Sequence, residues 1–406
     1  LIAAREAGVK IQFIRPNLFN GRSRDAMEPL CFAILQSLTP ANIETALADE
    51  RIEDIPMDLE ADLVAMTVET YTARRAYRIA DAYRRRGVPV VMGGYHPTFL
   101  PDECLEHADS VVIGDAEGSW ERLVEDARLG RLQSVYRQDG FPSLEAQNPD
   151  RTIFDGKKYA PLSLIQFSRG CRFNCEFCSI RAFYGNSLRH RPVEAVVDEI
   201  CRCERRHIFL VDDNIFVNAA LARELFEALV PLDITWSCQV SIDVARDREL
   251  VRLMARSGCI LALIGFESLN PASLHEIKKG WNLKWQSYED AIEVFHQAGI
   301  MLYGTFVFGC ESDTRESLEQ SVEFALKHKF FLANFNPLTP TPGAALYDRL
   351  EEEGRLLYDR WWLSPSFHYG DATYVPHRMS PEELIEGCYS ARTRFNKWHS
   401  CLLYTS

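Results

Sequence analysis

The chain has 406 residues, of which 47% are hydrophobic and 25% are charged, and its formal net charge is −13. This length and composition exclude a small disulfide-stapled scaffold and a disordered chain, and they favour two or three globular domains of roughly 150 residues each. The negative charge disfavours partners with phosphate backbones and anionic lipid surfaces. No apolar run approaches the roughly 20 residues that span a bilayer. We therefore expect a soluble protein. Because the sequence begins at Leu1 rather than at Met, it is compatible with being a fragment that lacks residues at either end.

Short apolar segments alternate with amphipathic helical segments in the first part of the chain. The pattern predicts strands at residues 10–14, 62–68, 88–92 and 109–113 and helices at residues 29–38 and 73–86. Such alternation is typical of a doubly wound α/β domain with a parallel sheet, which we place at residues 1–140. Ligands of such sheets bind outside the carboxyl ends of the strands. The polar and glycine residues predicted at these ends are Thr67, Glu69, Gly93, Gly94, His96, Gly114 and Glu117.

The periodicity fades over residues 141–162, where proline, glycine and aspartate residues predict a linker. A second series of strands and helices follows. It predicts a partial (β/α)6 barrel of the TIM type at residues 163–347, with its site at the carboxyl ends of the strands. Residues 348–406 are predicted to form a helical C-terminal extension that is rich in aromatic residues. The predicted barrel strands are residues 163–167, 207–211, 234–240, 260–266, 302–308 and 331–336.

Three of the twelve cysteines crowd together directly after the first predicted barrel strand, at Cys171, Cys175 and Cys178. Zinc usually takes four ligands, and the nearest further cysteines, Cys201 and Cys203, lie in a predicted helix where their side chains diverge. A cubane iron–sulfur cluster that is held by three thiolates leaves one iron open for a substrate or cofactor. The spacing therefore favours such a cluster over zinc and over three unconnected core cysteines.

The run from Cys171 through Cys175 and Phe177 to Cys178 resembles the signature of the radical S-adenosylmethionine (SAM) superfamily, Cys-x-x-x-Cys-x-aromatic-Cys. The resemblance implies a 4Fe-4S cluster whose fourth iron chelates SAM, and reductive cleavage of SAM to a 5′-deoxyadenosyl radical. Further segments resemble the family in the same order around the predicted barrel. They are FLVDDNIF at residues 209–216, GFES at 265–268 with KK at 278–279, GTFVFG at 304–309 and PTPG at 340–343.

The same resemblance implies contacts with SAM for residues at the predicted strand ends. Phe177 and Gly309 are expected near the adenine, and the others near the ribose or the methionine moiety. The alternative for Asp212 is a solvated residue at the end of a strand, with no contact to SAM. The alternative for Glu267 is a structural ion pair with Lys278 or Arg256. The residues expected to bind SAM are Phe177, Asp212, Ser241, Glu267 and Gly309.

A doubly wound first domain that precedes such a barrel resembles the cobalamin-binding subclass of the superfamily, which includes hopanoid methylases. The resemblance implies that the seven strand-end residues of the first domain contact cobalamin. One departure concerns the loop after the first strand, where many cobalamin-binding domains carry Asp-x-His-x-x-Gly but residues 15–21 contain no histidine. Cobalamin would then lack this lower ligand, or the domain has lost the cofactor. We interpret His96 as a loop-capping residue beside Pro97 in preference to a cobalt ligand.

Three functional classes follow from these observations. The first is a cobalamin-dependent radical SAM enzyme that methylates an unactivated carbon of a small molecule or lipid. The second is a methylthiotransferase acting on tRNA or a ribosomal protein, which expects another three-cysteine cluster in its first domain, where this chain has only Cys31 and Cys104. The third is a non-catalytic iron–sulfur sensor, which would not need the barrel motifs.

We predict the first class. Because thiolates that bind a cluster require a reducing compartment, we expect a cytoplasmic enzyme. Its partners are predicted to be the small-molecule or lipid-like substrate and an external one-electron reductant such as flavodoxin or ferredoxin. We expect neither nucleic acid binding nor stable membrane insertion.

Overall fold

The computed structural model of the chain describes residues 9–19, 21–58, 60–284 and 287–397. Residues 1–8 of the predicted first domain and 398–406 of the predicted extension lie outside the described residues. The chain divides into two compact units between Leu164 and Ile165. In the described part of the chain, no helix is long and apolar enough to cross a membrane.

The first unit is built on a six-stranded sheet with the strand order β2-β1-β3-β4-β5-β6, in which every neighbouring pair is parallel. The first four of the five residues of the central strand β3 are buried, as expected where helices cover both faces of a parallel sheet. The strands are β1 (Lys10–Arg15), β2 (Glu44–Asp49), β3 (Leu63–Thr67), β4 (Val90–Gly93), β5 (Ser110–Ile113) and β6 (Val135–Arg137). The α-helices are α1 (Leu30–Leu38), α2 (Ala73–Arg85), α3 (Tyr95–Phe99), α4 (Pro101–His107) and α5 (Trp120–Arg128).

The sequence pattern predicted four of these strands and missed the two at the sheet edges. The edge strand β2 reads ETALAD, which is poor in the β-branched and aromatic residues that strands favour, and β6 has only three residues. Both exist because they pair with a neighbouring buried strand, β2 with β1 and β6 with β5. The predicted doubly wound domain is confirmed, and its sheet is larger than the pattern indicated.

The second unit contains a six-stranded sheet with the order β14-β13-β12-β11-β10-β7, so strands that follow one another along the chain are neighbours. The neighbouring strands from β10 to β14 pair in parallel, and helices connect them. This confirms the predicted partial barrel of six strands. The strands are β7 (Ser163–Ile165), β10 (His207–Leu210), β11 (Thr235–Gln239), β12 (Cys259–Glu267), β13 (Met301–Phe308) and β14 (Leu332–Pro337), with a short antiparallel pair of β8 (Ser168–Arg169) and β9 (Arg189–His190).

The helices of the second unit are α6 (Ser179–Tyr184), α7 (Val193–Arg202), α8 (Ala219–Leu229), α9 (Arg248–Arg256), α10 (Pro271–Glu276), α11 (Tyr288–Gln297), α12 (Arg315–Lys327), α13 (Ala345–Glu352) and α14 (Pro381–Phe395). Helix α14 starts with a capping box, in which the Ser380 hydroxyl accepts from the Glu383 N–H at 3.2 Å and the Glu383 carboxylate accepts from the Ser380 N–H at 2.9 Å. Among its described residues, the predicted extension is helical at 348–352 and 381–395. Between them, residues 353–380 form turns around the buried Trp361 and Trp362.

Candidate active site

The three clustered cysteines lie in the loop between β8 and α6, which we call the cysteine loop (residues 170–178). Cys178 is the residue directly before the first turn of α6. Burial raises the pKa of the Cys178 thiol to about 11, while the backbone N–H groups of Arg181 and Ile180 approach its sulfur and act in the opposite direction. N–H groups that point at a sulfur stabilise its thiolate form. The start of α6 is therefore suited to a metal-bound Cys178.

Two carboxylates at the end of β10 hold the backbone that leads into the cysteine loop. Asp212 accepts from the Phe167 N–H at 3.3 Å and from the Ser168 N–H. Asp213 accepts from the N–H of Gly170 at 2.7 Å, the residue that precedes Cys171. Asp212 is buried, and burial raises the pKa of its carboxyl to about 7. It is thus a buried anchor rather than a solvated strand end, and a contact with SAM stays a prediction.

Asn214 connects the first cysteine with the end of β11. Its side-chain amide donates to the Ser241 hydroxyl at 3.0 Å and stands 3.9 Å from the Cys171 sulfur. Its amide oxygen accepts from the backbone N–H of Ser241 at 3.1 Å. The structure therefore brings the predicted Ser241 next to the cysteine loop. Asn214 was not predicted as a site residue, although it ends the polar strand tip Asp-Asp-Asn.

Glu267 ends β12 with a positive φ of 62°, which is uncommon for a residue other than glycine. Its carboxylate accepts from the Lys279 ammonium at 2.6 Å, and both side chains are only 9% exposed. The expectation that Lys278 or Arg256 would be the partner is wrong. Lys278 is 55% exposed, and its ammonium approaches Glu176 at 4.0 Å. The buried pair at the end of β12 is therefore formed by the second of two adjacent lysines.

Phe177 and Gly309 both lie beside an aromatic residue of the C-terminal extension. Phe177 packs on a small apolar cluster that contains Tyr374. The Tyr374 hydroxyl donates to the Gly309 carbonyl at 2.6 Å, and the Gly309 N–H donates to Asp313 at 3.1 Å. Gly309 has a φ of 114°, and a β-carbon there would collide with the Tyr374 hydroxyl. A glycine is required at this position by the protein itself, and its contact with adenine stays a prediction.

The predicted residues of the first unit gather at the carboxyl ends of the neighbouring strands β3, β4 and β5. Thr67 and Gly93 end β3 and β4. Gly94 has a φ of 106°, and a β-carbon there would lie 3.0 Å from the Val68 carbonyl oxygen. Gly114, with a φ of 80°, donates its N–H to Thr98 at 3.0 Å. These glycines allow backbone conformations at the sheet edge that other residues rarely adopt.

Glu69 lies at the point where the strand order reverses, between β1 and β3, which is where open α/β sheets bind ligands. Its carboxylate accepts from the Arg15 guanidinium at 3.1 Å, and Arg15 is the last residue of β1. Arg15 was not predicted as a site residue. Glu117 lies beyond β5, where it accepts from the Gln147 amide at 3.2 Å.

His96 lies in the core of the first unit. It is fully buried, its Nε2 is 2.8 Å from the Tyr77 hydroxyl and 3.1 Å from the Glu103 carboxylate, and its Nδ1 is 3.4 Å from the Thr70 hydroxyl. A side chain without exposed surface whose two ring nitrogens are both engaged is not placed to meet a ligand at the sheet edge. His96 is therefore a core residue within helix α3 rather than the loop cap that we expected, and its burial weighs against the predicted contact with cobalamin.

Comparison with known proteins finds a matching family for a segment of each unit. The model of the radical SAM superfamily matches residues 165–325, and that of the B12 binding domain matches residues 35–124. The chain is 32% identical over 371 residues to bacteriochlorophyllide d C-12(1)-methyltransferase of Chlorobaculum tepidum, a match that covers 88% of this chain and 80% of that protein. The chain belongs to the radical SAM superfamily, in its group of cobalamin-dependent methyltransferases.

Two further proteins illustrate how broad this group is. Hopanoid C-2 methylase of Rhodopseudomonas palustris is 26% identical, with 82% of this chain and 64% of that protein covered. The solved structure of the radical SAM methyltransferase TsrM from Kitasatospora setae, with cobalamin and a 4Fe-4S cluster bound, has a TM-score of 0.68. That match covers 94% of this chain and 85% of TsrM at 17% identity, so it supports the fold.

The cofactors of this radical SAM methyltransferase are SAM, a 4Fe-4S cluster and cobalamin. The cysteine loop fits the cluster, because its three cysteines lie close together: Cys171 contributes to the raised pKa of both Cys175 and Cys178. Among the described residues, no three His, Cys, Asp or Glu side chains are arranged to hold a single metal ion. A cubane does not require this convergence, because each of its three thiolates binds a different iron atom.

A buried donor beside the cysteine loop also fits the cluster. The indole N–H of Trp281 is buried and makes no hydrogen bond of ordinary geometry to the described residues, but it lies close enough to the Cys175 thiol to oppose the rise in its pKa. Trp281 stacks on Phe173 of the cysteine loop, with ring centroids 3.5 Å apart and planes inclined by 5°. Sulfur atoms of a cluster are common acceptors for such donors. Sequence reasoning missed Trp281, which belongs to no motif with regular spacing, and it named Lys279 only within the KK segment, without a role at the site.

Proposed function

We propose that this radical SAM methyltransferase methylates an unactivated carbon of a small molecule or lipid-like substrate. The observation that carries the proposal is its 32% identity to two Chlorobaculum tepidum enzymes that are named for methylating bacteriochlorophyllide d, at C-12(1) and at C-8(2). The alignments cover 80% and 79% of those enzymes. The hopanoid relative, named as a C-2 methylase, supports carbon as the methyl acceptor.

The residues of this chain divide the work between the two units. Cys171, Cys175 and Cys178 would hold the cluster, while the carboxylates at the end of β10 hold their loop. The strand ends of the first unit would present backbone to cobalamin. When bound, the cofactors supply a 5′-deoxyadenosyl radical from SAM and a methyl group carried by cobalamin. An external one-electron reductant such as flavodoxin or ferredoxin would deliver the electron.

Three polar side chains at the barrel edge, Asp212, Asp213 and Asn214, hold the cysteine loop in place. Asp212 and Asp213 accept from three backbone N–H groups, those of residues 167, 168 and 170, and Asn214 links Cys171 to Ser241. All of these contacts are made between groups of the protein itself, and together they fix the geometry of the cysteine loop. Such preorganisation lowers the cost of ordering the reacting groups.

The test is product analysis with enzyme that is purified anaerobically in the presence of cobalamin and reconstituted with iron and sulfide. Bacteriochlorophyllide d is the first substrate to supply, together with SAM that carries an isotopically labelled methyl group and a reductant. We expect 5′-deoxyadenosine and transfer of the label to a substrate carbon, detected by mass spectrometry. Cys175→Ala is the control, because it removes a proposed cluster ligand without changing the first unit.

Three results would separate the proposal from its rivals. Unlabelled, ring-closed product would favour a cyclase, the activity named for a 25% identical relative from Cereibacter sphaeroides. Incorporation of sulfur into tRNA or protein would favour a methylthiotransferase. A cluster that changes its redox state without consuming SAM would favour a sensor. If a wider panel of tetrapyrroles and polycyclic lipids also yields no labelled product, C-methylation of such substrates is wrong.

A further inference from the structure

A buried cation lies beside the cysteine loop. The Lys279 side chain is 9% exposed, and its ammonium donates to the Glu267 carboxylate at 2.6 Å. Removing an ammonium and a carboxylate from water is costly, and their attraction repays that cost only where the two groups are well paired. The exposed neighbour Lys278 shows that a lysine at this turn can also reach solvent.

The segment that carries Lys279 is attached to the cysteine loop on both sides of Cys175. The backbone N–H of Glu176, the residue after Cys175, donates to the Ile277 carbonyl at 3.0 Å. On the other side, Phe173 stacks on Trp281 at 3.5 Å. The Lys279 ammonium stands 5.3 Å from the centre of the Trp281 ring, within the range of a cation–π contact. Cys175 therefore lies between two contacts with one short segment.

The charge of Lys279 and the indole of Trp281 both act on this thiol. Burial raises the pKa of Cys175, while Lys279 and Trp281 oppose that rise. In return, although burial alone would lower the pKa of Lys279, Glu267 and then Cys175 raise it above its ordinary value. Cys178 also raises the pKa of Lys279. The backbone hydrogen bond of Glu176 and the stack on Phe173 therefore hold the cation and the indole beside Cys175.

We propose that Lys279 and Trp281 are positioning residues that set the reduction potential of the 4Fe-4S cluster. Adding an electron makes the cluster more negative, and a nearby positive charge and an N–H donor to a ligand sulfur both stabilise that state. Both residues therefore raise the reduction potential of the cluster. At a higher potential, the external reductant transfers its one electron to the cluster more readily, and the reductant is oxidised in that step. The proposal rests on the assignment of the cluster to Cys171, Cys175 and Cys178.

Two substitutions remove the two effects with little change in shape. Lys279→Met keeps an unbranched apolar stem and removes the charge, and Trp281→Phe keeps a ring to stack on Phe173 and removes the N–H. Both proteins are reconstituted anaerobically, and the midpoint potential is measured by reductive titration followed by electron paramagnetic resonance. We expect each midpoint to fall by at least a tenfold change in the reduction equilibrium, which is about 59 mV for one electron.

The control is Lys278→Met, which makes the same change at the exposed neighbour and should leave the midpoint unchanged because solvent screens its charge. Lys279→Met also leaves the buried Glu267 carboxylate without its partner. The double variant Glu267→Gln/Lys279→Met removes that carboxylate as well, and its midpoint potential should still lie below that of the wild type. A variant that binds less iron still tests the proposal, because a midpoint does not depend on the fraction loaded.

Unchanged midpoints in both Lys279→Met and Trp281→Phe would overturn the proposal, as would a shift of equal size in Lys278→Met. Either result would leave the proposed function standing, because product analysis of the wild type decides that separately. Conversely, if the enzyme transferred no methyl group, the midpoint potentials of the variants would still shift as expected. Failure of the proposed function can therefore be told apart from failure of the proposal on Lys279 and Trp281.

Discussion

The two six-stranded sheets end in carboxyl edges that are lined by different kinds of groups. In the second unit, buried polar side chains such as Asp212 and Asn214 are each hydrogen-bonded to the backbone or side chains of a neighbouring loop. In the first unit, Gly94 and Gly114 have positive φ, and the side chains of the Arg15–Glu69 pair keep part of their surface exposed. One edge is specified by side-chain contacts and the other by backbone conformation.

This difference follows from what each edge has to do. A loop that holds three cysteines needs one fixed geometry, which buried and fully paired polar groups provide. A large ligand that lies across a sheet edge needs access to backbone, which glycine provides. Substitutions at the two edges should therefore fail in different ways, and four experiments test that expectation.

The largest effect is expected for the cysteines. Alanine at Cys171, Cys175 or Cys178 should reduce iron binding and bring reductive cleavage of SAM to background, because three thiolates are needed for the site-differentiated cluster. Iron analysis and the yield of 5′-deoxyadenosine measure this. Cys201→Ala and Cys203→Ala should retain both properties. Full SAM cleavage by any one of the first three variants would contradict the cluster assignment.

Asp212 should make the stability of the second unit depend on pH. Its folded-state pKa of about 7 lies above the ordinary value of 3.8, so between these values the folded protein holds a proton that the unfolded chain releases. Stability should then fall as the pH rises towards 7, by up to about 1.4 kcal/mol per unit, and level off above it. Urea unfolding of the cluster-free protein at several pH values measures this.

Asp212→Asn should lose that dependence, because an amide does not titrate. The exposed Asp139→Asn serves as the control, and its curve should run parallel to that of the wild type. A pH profile of Asp212→Asn that matches the wild type would mean that another group causes the dependence.

At the other edge, Gly94→Ala should be more damaging than Gly87→Ala. Both glycines have positive φ, but a β-carbon at Gly94 would lie 3.0 Å from the Val68 carbonyl oxygen, whereas at Gly87 it meets nothing within 4 Å. We expect about 1 kcal/mol of destabilisation at Gly87 and about 1–3 kcal/mol at Gly94. Unfolding and cobalamin titrations measure this, and only Gly94→Ala should also weaken cobalamin binding. If the two substitutions had equal effects, the close approach of Gly94 to the Val68 carbonyl would not be the reason that a glycine is needed there.

The smallest effect on stability is expected for Glu69→Gln. Because Glu69 and Arg15 form a pair whose side chains are 49% and 22% exposed, its loss should change the free energy of unfolding by less than about 1 kcal/mol. Cobalamin affinity should nevertheless fall severalfold, since the pair lies at the switch point of the sheet. Glu125→Gln breaks a pair of similar exposure on helix α5, and it should change neither quantity.

The sequence by itself determined the alternation of strands and helices and the position of the cysteine loop. Strand β13 spans Met301–Phe308 where residues 302–308 were predicted, because a buried strand needs a run of apolar residues that is visible in any sequence. The spacing of the three cysteines in the loop is likewise visible in the sequence, because it involves residues that are close together along the chain. The edge strand β2 escaped prediction because its pairing with β1, rather than its own composition, makes it a strand.

Only the tertiary structure decided which side chains surround the cysteines. Lys278 and Lys279 are adjacent and chemically identical, yet one is exposed and the other is buried against Glu267. His96 was placed among ligand contacts, but it lies in the core with Tyr77 and Glu103. Burial and pairing depend on which distant segment packs against a residue, and a local pattern carries no information about that partner.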